Sequence, residues 1–227
     1  MLLGAGEVVF TGRDEGDLGH GGAWVAVADV DPAVEARRRK VVDRPWSWLR
    51  QVHGNRVVVV ERPGGGAGEK ADALITTDPD AALAILTADC APVAMAGDNG
   101  SLGAAHAGWR GLTAGVLEAT ADALRATGAN HIVATLGPCI HAECYEFSPA
   151  DLDTVAARLG DGVRATTADG KPALDVPAAV RAALTNANVE LVHDAGACTA
   201  CSPGCFSHRA RGEKQRQAMV VWRPSPQ

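Results

Sequence analysis

Apolar and β-branched residues fall in short runs along this chain, with glycine, proline and aspartate between them. Such runs predict strands at residues 8–10, 23–28, 56–61, 73–76, 82–86, 93–96, 102–105, 131–136, 189–193 and 218–222. Four stretches repeat instead with helical period. Residues 32–42 begin with Asp31 as N-cap and Pro32 at the first helical position. Residues 112–126 align Leu112, Val116, Leu117, Ala123 and Leu124 on one face, with Gly128 as the stop. Residues 149–159 follow the cap candidate Ser148, and residues 177–188 line up Val180, Ala183, Leu184 and Ala187. So many short strands and so few helices do not suit simple βα alternation. They predict a mixed α/β sandwich, two stacked sheets covered by helices.

Punctuation is sparse. The glycine-rich residues 63–68 read as a surface loop between two strands, and 166–172 as a turn. The tail from Arg223 is expected to fray. No repeat of fixed period is visible, so residues 1–227 are expected to form one domain. The most informative unit is the corner around residues 104–117. A strand runs into His106-Ala-Gly108-Trp-Arg110-Gly111 and a helix follows. Glycines there let the backbone turn sharply and approach a ligand, and the free N–H groups of the new helix favour an anion.

Composition narrows the function classes. With 47% hydrophobic and 21% charged residues, the chain can fill a core and is not a disordered tail. The net charge of −6 argues against a general nucleic-acid binder. No apolar run is long enough to span a membrane, and the N-terminus lacks the order of a secretory signal. The expected address is the cytoplasm, where the six cysteines stay reduced and serve as ligands, nucleophiles or core residues.

Three segments then stand out: Gln51-Val52-His53-Gly54, Thr87-Ala88-Asp89-Cys90 and the His106 corner. Each places a nitrogen or sulfur donor at the end of an apolar run. His53, Cys90 and His106 make a Cys/His₂ set, and three protein ligands with a fourth position open is the catalytic form of a Zn²⁺ site. Taken singly, each histidine reads equally as a surface or core residue and Cys90 as apolar filler. Arg110 and the helix start at Gly111 are candidates for gripping an anion; alternatively, Arg110 pairs with a structural carboxylate. Asp89 is a candidate for proton transfer or for fixing an imidazole tautomer. Asn55 and Arg56 sit at the mouth or simply begin a strand.

These segments, with Ala71-Asp72-Ala73-Leu74-Ile75-Thr76-Thr77, Leu136-Gly137-Pro138-Cys139-Ile140 and Cys144-Tyr145-Glu146, resemble the signature of the YfiH-like family, also called the multicopper polyphenol oxidoreductase or laccase-domain family. The resemblance is close over residues 50–147 and looser through Cys198-Thr199, Phe206-Ser207-His208-Arg209 and Trp222. It implies a four-layer αββα sandwich similar to the catalytic domain of a bacterial deamidase toxin, and one zinc on His53, Cys90 and His106. It also implies phosphorolysis of adenosine, inosine, guanosine or 5′-methylthioadenosine to base and ribose 1-phosphate, with hydrolytic deamination of adenosine. The partners are then a small nucleoside and phosphate; the oligomeric state is left open. An older label, copper-dependent phenol oxidation, fits less well, because the chain has seven histidines and no His-x-His pair. One Cys/His₂ site could still take Cu²⁺.

The resemblance also shows departures. Thr11-Gly12-Arg13 keeps two residues of an N-terminal motif in which Arg13 is a candidate for substrate binding, and Asp17-Leu18-Gly19 stands where Asn is usual. Gln215-Arg216 replaces a Gly-Arg pair. If these segments line the pocket, substrate preference shifts. Cys198, Cys201, Cys205 and His208 have the spacing of a zinc knuckle, against the alternative of free thiols. His141-Ala142-Glu143 mimics the H-x-E of zinc deaminases, but Ala197 precedes Cys198 where that motif wants Pro, and the Glu falls in a turn, so this pattern is rejected. Two rivals stand beside the zinc-enzyme reading: Cys90 as a thiolate nucleophile with His106 as base, cleaving an amide, as in a peptidoglycan precursor; and a binding domain with structural zinc.

Overall fold

The structure is a computed structural model and describes residues 1–20 and 26–224. Two six-stranded mixed sheets dominate it. The first runs in the order β1 (Leu2–Leu3), β2 (Gly6–Phe10), β14 (Gln217–Trp222), β7 (Ala82–Thr87), β3 (Trp46–Arg50), β5 (Glu69–Lys70). The second runs β13 (Glu190–Asp194), β10 (Ile132–Leu136), β8 (Ala91–Gly97), β9 (Leu102–Ala107), β6 (Ala73–Thr76), β4 (Val57–Val60). A small ribbon pairs β11 (Arg164–Thr166) with β12 (Pro172–Leu174), so the expected turn at 166–172 is a hairpin tip. Six helices complete the described residues: α1 (Pro32–Val41), α2 (Trp109–Ala114), α3 (Val116–Ala126), α4 (Pro149–Leu159), α5 (Val176–Asn186) and α6 (His208–Arg211).

Strand alternation builds the layers. On β7, Leu83 and Ile85 face one way and Ala82 and Ala84 the other; on β14, Met219 and Val221 oppose Ala218 and Val220. Leu83, Ile85, Met219 and Val221 meet Leu74, Ala94, Leu102 and Ala104 of the second sheet, making a core between the sheets. The opposite faces of β7 and β14 pack with Trp46, Trp48 and Leu18 on the α1 side. The far face of the second sheet, Ala73, Val93, Met95 and Ala105, packs against Leu117, Leu124, Leu152, Val180 and Leu184 from the helices. The result is α1, sheet, sheet, helices: the expected four-layer αββα arrangement. With both faces of these strands buried, each large side chain contributes roughly 2 kcal/mol of burial, which explains the nearly continuous apolar runs.

Most predicted elements are present. Asp31 caps α1 by accepting from the Ala33 N–H (2.7 Å), and Ser148 caps α4 by accepting from the Asp151 N–H (3.1 Å). Four expectations need correction. The strand at 23–28 falls partly on residues 21–25, outside the described ones, and its described end is a 3₁₀ turn, Val27–Asp29. The helix expected at 112–126 is two helices starting at Trp109, because Gly115 takes φ +85° and breaks the hydrogen-bond ladder. The apolar face of Leu112, Val116, Leu117 and Leu124 continues across that break, which is why periodicity alone concealed it. Strand β3 was not predicted; its Trp-Ser-Trp-Leu pattern is short, and pairing with β7 and β5 decides its conformation. The tail expected to fray from Arg223 is held at its start, where the Arg223 guanidinium donates to the Thr77 carbonyl (2.7 Å); residues 225–227 lie outside the described ones.

Candidate metal centre

The chain crosses from the first sheet to the second between β7 and β8, and Asp89 and Cys90 occupy that crossing. His53 follows β3 of the first sheet, and His106 lies near the end of β9 in the second. On β9, His106 shares the parity of Leu102 and Ala104, which face the inter-sheet core, so its ring emerges where the two sheets part. Gln51 ties the β3 end to β7: its amide donates to the Leu86 carbonyl (2.8 Å) and accepts from the Leu86 N–H (3.0 Å). One donor atom from each of His53, Cys90 and His106 then lies within 4.8 Å of the others. The His53 Nε2 is 3.8 Å from the Cys90 sulfur, and the two imidazoles meet edge to face at 4.8 Å.

A buried carboxylate that the sequence reading passed over organises this cluster. Asp72, fully buried, lies 2.9 Å from the His106 Nδ1 and accepts from the N–H groups of Val52, His53 (2.8 Å) and Gly54 (2.7 Å). It therefore orients the His106 ring, leaving Nε2 for the cluster, and fixes the His53 loop at the same time. Burial works against its charge, but these hydrogen bonds hold the carboxyl below its ordinary value. Its signal was an acidic residue inside Ala71-Asp72-Ala73-Leu74, at the start of a buried strand.

The electrostatics suit a cation. Burial disfavours a thiolate at Cys90, yet the charge of His106 and hydrogen bonds from both histidines pull the thiol down to about 6. Burial equally disfavours an imidazolium at His106, but Cys90 and Asp72 raise it to about 9. A soft or borderline metal ion replacing the protons of this pair meets a deprotonated sulfur and two imidazoles, the donor set zinc accepts.

Backbone strain concentrates at this point. Three described non-glycine residues have positive φ, and two belong here: His53 at +60° and Asp89 at +110°. Each such conformation costs about 1–3 kcal/mol, and functional sites are where surrounding structure commonly sustains it. Gly108, in an ordinary extended conformation, is glycine for room: a Cβ there would lie 2.7 Å from the His53 Cδ2 and 3.2 Å from the Cys90 sulfur.

The cluster forms the floor of a cleft of about 440 Å³, whose lining includes Gly19, His20, Trp48, Arg50, His208 and Arg216. Among the described residues that line it there is no Asp or Glu, although the whole chain carries −6. Two buried polar atoms of the lining, His20 Nε2 and Thr87 Oγ1, have no partner among the described residues. The departing segments noted in the sequence meet at this rim. The Asp17 Oδ1 accepts from the Gly19 and Arg216 N–H groups (both 2.9 Å), and Leu18 N–H donates to the Arg216 carbonyl (3.0 Å).

Other candidates are placed differently. Asp89 does not touch an imidazole; its oxygens accept from the Thr199 hydroxyl and the Arg209 N–H (both 2.7 Å), so it anchors the C-terminal segment, and the tautomer-fixing part falls to Asp72. Arg110 is exposed, stacks over Trp109 at 4.2 Å and lies outside the cleft lining, while Gly111 is buried within α2. The Asn55 amide donates to the Ala114 carbonyl, Arg56 pairs with Glu69, and Arg13 pairs with Glu213 and donates to the Pro203 carbonyl. The zinc-knuckle grouping needs correction. Cys198 and Cys201 come together, but with Glu143 and Cys144 rather than with Cys205 and His208. His208, the first residue of α6, lines the main cleft instead.

The chain is also similar to known proteins. The family model described as multi-copper polyphenol oxidoreductase laccase matches residues 15–224. A Mycobacterium tuberculosis protein named purine nucleoside phosphorylase is 38% identical over 205 residues, covering 86% of this chain and 82% of its own length. A Streptomyces griseus protein of the same name is 38% identical over 218 residues, covering 91% and 87%. Among solved structures, a Neisseria meningitidis protein superposes with a TM-score of 0.80 at 27% identity over 97% of this chain and 95% of its own. Bacillus licheniformis YfiH gives 0.78 at 27% identity over 92% and 85%.

Proposed function

Because the chain belongs to the multi-copper polyphenol oxidoreductase laccase family, and its relatives are named purine nucleoside phosphorylases, we propose that it is a zinc-dependent purine nucleoside phosphorylase that also deaminates adenosine. The observation that carries the reading is the His53–Cys90–His106 cluster at the floor of an open cleft with no carboxylate among its described lining residues. The cleft volume lies within the roughly 300–1,000 Å³ usual for small-molecule sites. The three-donor set at the cleft favours one zinc there over several coppers, since the chain has seven histidines and no His-x-His pair.

His53, Cys90 and His106 hold the ion, and Asp72 keeps the His106 ring in register. When bound, zinc supplies Lewis acidity, which lets water ionise near neutral pH and polarises an electronegative atom of a substrate. Arg50 and Arg216 give the rim the positive charge that a phosphate requires, and His208 adds a hydrogen-bonding imidazole. His20, backed by the largely buried Trp48 at 6.4 Å between ring centroids, gives one wall a ring that suits a purine. In phosphorolysis, phosphate displaces the base from the ribose C1′, giving free base and ribose 1-phosphate; in deamination, water replaces the adenine amino group as ammonia.

The test is a panel of adenosine, inosine, guanosine and 5′-methylthioadenosine incubated with zinc-loaded protein, with and without phosphate, products separated by chromatography. Phosphate-dependent release of base is expected, with conversion of adenosine to inosine independent of phosphate. Turnover of none of them by stoichiometrically loaded protein defeats the reading. A second reading has one observation of its own: Asp72, His106 and Cys90 are also arranged as a carboxylate–imidazole–thiol series. Amide cleavage by metal-free protein, abolished by a thiol alkylator, would favour it.

A further inference from the structure

Away from the cleft, Glu143, Cys144, Cys198 and Cys201 converge so that one donor atom from each lies within 4.8 Å of the others. None of the four lines the cleft. We propose that these residues form a second zinc site, structural in role and separate from the His53–Cys90–His106 centre. The Cys144 and Cys201 sulfurs are 3.3 Å apart, and the Cys201 sulfur is 3.7 Å from the Glu143 Oε1. A tetrahedral zinc with bonds of about 2.3 Å to sulfur and 2.1 Å to oxygen needs S···S edges of about 3.8 Å and S···O edges of about 3.6 Å. The Cys144–Cys201 edge must open by about 0.5 Å and the Cys201–Glu143 edge already fits, while the remaining edges, all within 4.8 Å, close by at most about 1 Å.

Chemistry favours a cation over free thiols or a single disulfide. The His141 N–H already donates to the Cys198 sulfur (3.4 Å), as backbone amides do to metal-bound thiolates. Glu143 adds a hard oxygen beside three sulfurs, a donor set that zinc accepts once the thiols give up their protons. A Cys144–Cys201 disulfide would use two of the four donors and leave Cys198 and Glu143 with their His141 contacts alone. Four protein ligands leave no open position, which is the signature of a structural centre.

The site also sits where a clip has an effect. Glu143 and Cys144 belong to a 3₁₀ turn, Ala142–Cys144. Cys198 bridges backbone to backbone with Cys139, and its neighbour Thr199 donates to Asp89, one residue before Cys90. Zinc here ties two surface turns together directly behind the crossing that carries Cys90. The sequence spacing suggested Cys205 and His208 as the remaining ligands; the fold supplies Glu143 and Cys144 from a segment more than fifty residues earlier.

The experiment uses full-length Cys90→Ala, which lacks the sulfur of the main centre, prepared under reducing conditions and dialysed against zinc. One zinc per chain is expected, falling to none when Cys201→Ser is added. Cys201 is exposed, so this second change should leave the circular dichroism spectrum intact. Cobalt loaded into Cys90→Ala should give intense sulfur-to-metal charge-transfer absorption, lost in the double variant. Zinc should raise the melting temperature of Cys90→Ala and leave that of the double variant unmoved. Reduced, folded Cys90→Ala that binds no zinc overturns the proposal. So does retention of the zinc after Cys201→Ser and Glu143→Gln together. A peptide map showing Cys144 and Cys201 joined in protein that takes up no zinc after reduction also counts against it.

Discussion

Gly108→Ala separates the metal centre from the fold. The Gly108 backbone, at φ −72° and ψ 158°, suits alanine, so the substitution carries no conformational strain. The new methyl would lie 2.7 Å from the His53 Cδ2, whereas carbon atoms rest at about 3.5–4.0 Å. The imidazole must therefore retreat by about 1 Å, while ligand distances tolerate about 0.2 Å. Withdrawing one of three donors should weaken zinc binding by ~100-fold or more, about 2.7 kcal/mol. The atom struck is the far end of an exposed side chain, so the core is not overpacked. Reduced unfolded-state entropy returns about 0.4–1 kcal/mol, and net stability of the metal-free protein should stay within about 1 kcal/mol of wild type. Competition with a chromophoric zinc chelator, using Cys90→Ala as the zero for this centre, measures the first quantity; urea unfolding measures the second. Zinc affinity within about threefold of wild type in a normally stable variant would refute the steric argument, and with it the placement of His53 as a ligand.

Other expectations follow from the same geometry. Asp72→Asn turns an amide donor toward backbone N–H groups, and should cost about 1–3 kcal/mol in urea unfolding and about 10–100-fold in zinc affinity. Burial opposes the charge of Glu213, but the Ser207 N–H, Arg13 and Arg211 hold its carboxyl down from 4.5 to about 2. Its stabilisation is thus fully present above pH 4.5 and lost as pH falls toward 2, so Glu213→Gln should flatten the acid limb of the unfolding curve over that window. Arg38 is 1% exposed, donates twice to the Leu18 carbonyl and stacks on Trp46 and Trp48; Arg38→Met should cost about 2 kcal/mol by leaving that carbonyl unpaired, measured by urea unfolding. Arg50→Ala should raise the KM for phosphate roughly tenfold, the loss of one charge-assisted hydrogen bond. Arg110→Ala, outside the cleft, should leave that KM within about twofold. Equal effects of the two arginines would contradict the assignment of the cleft.

The candidate metal centre joins parts that serve different layers. His53 comes from a loop of the first sheet, His106 from a strand of the second, and Cys90 from the crossing between them. Any loss of registry between the sheets would move one ligand relative to the others. Asp72 counters this, since it binds the His106 ring and the backbone of the His53 loop through one carboxylate.

Strands and helices buried along a long stretch could be read from the chain itself, because alternation and helical period record which faces meet apolar neighbours. Ala73–Thr76 and Pro149–Leu159 have the boundaries expected of them. The three donors were legible too, as nitrogen and sulfur residues ending apolar runs. What needed tertiary structure was whatever depends on partners distant along the chain. Trp46–Arg50 is a strand because β7 and β5 lie beside it. Asp72 is an ordinary acid in the sequence and an organising one only when His106, thirty-four residues later, lies against it. Cys144 and Cys201, fifty-seven residues apart, become neighbours only after two turns fold together. Local pattern reports how a residue meets its own element; hydrogen bonds and coordination are short-ranged in space but blind to separation along the chain, so the folded backbone alone selects their members.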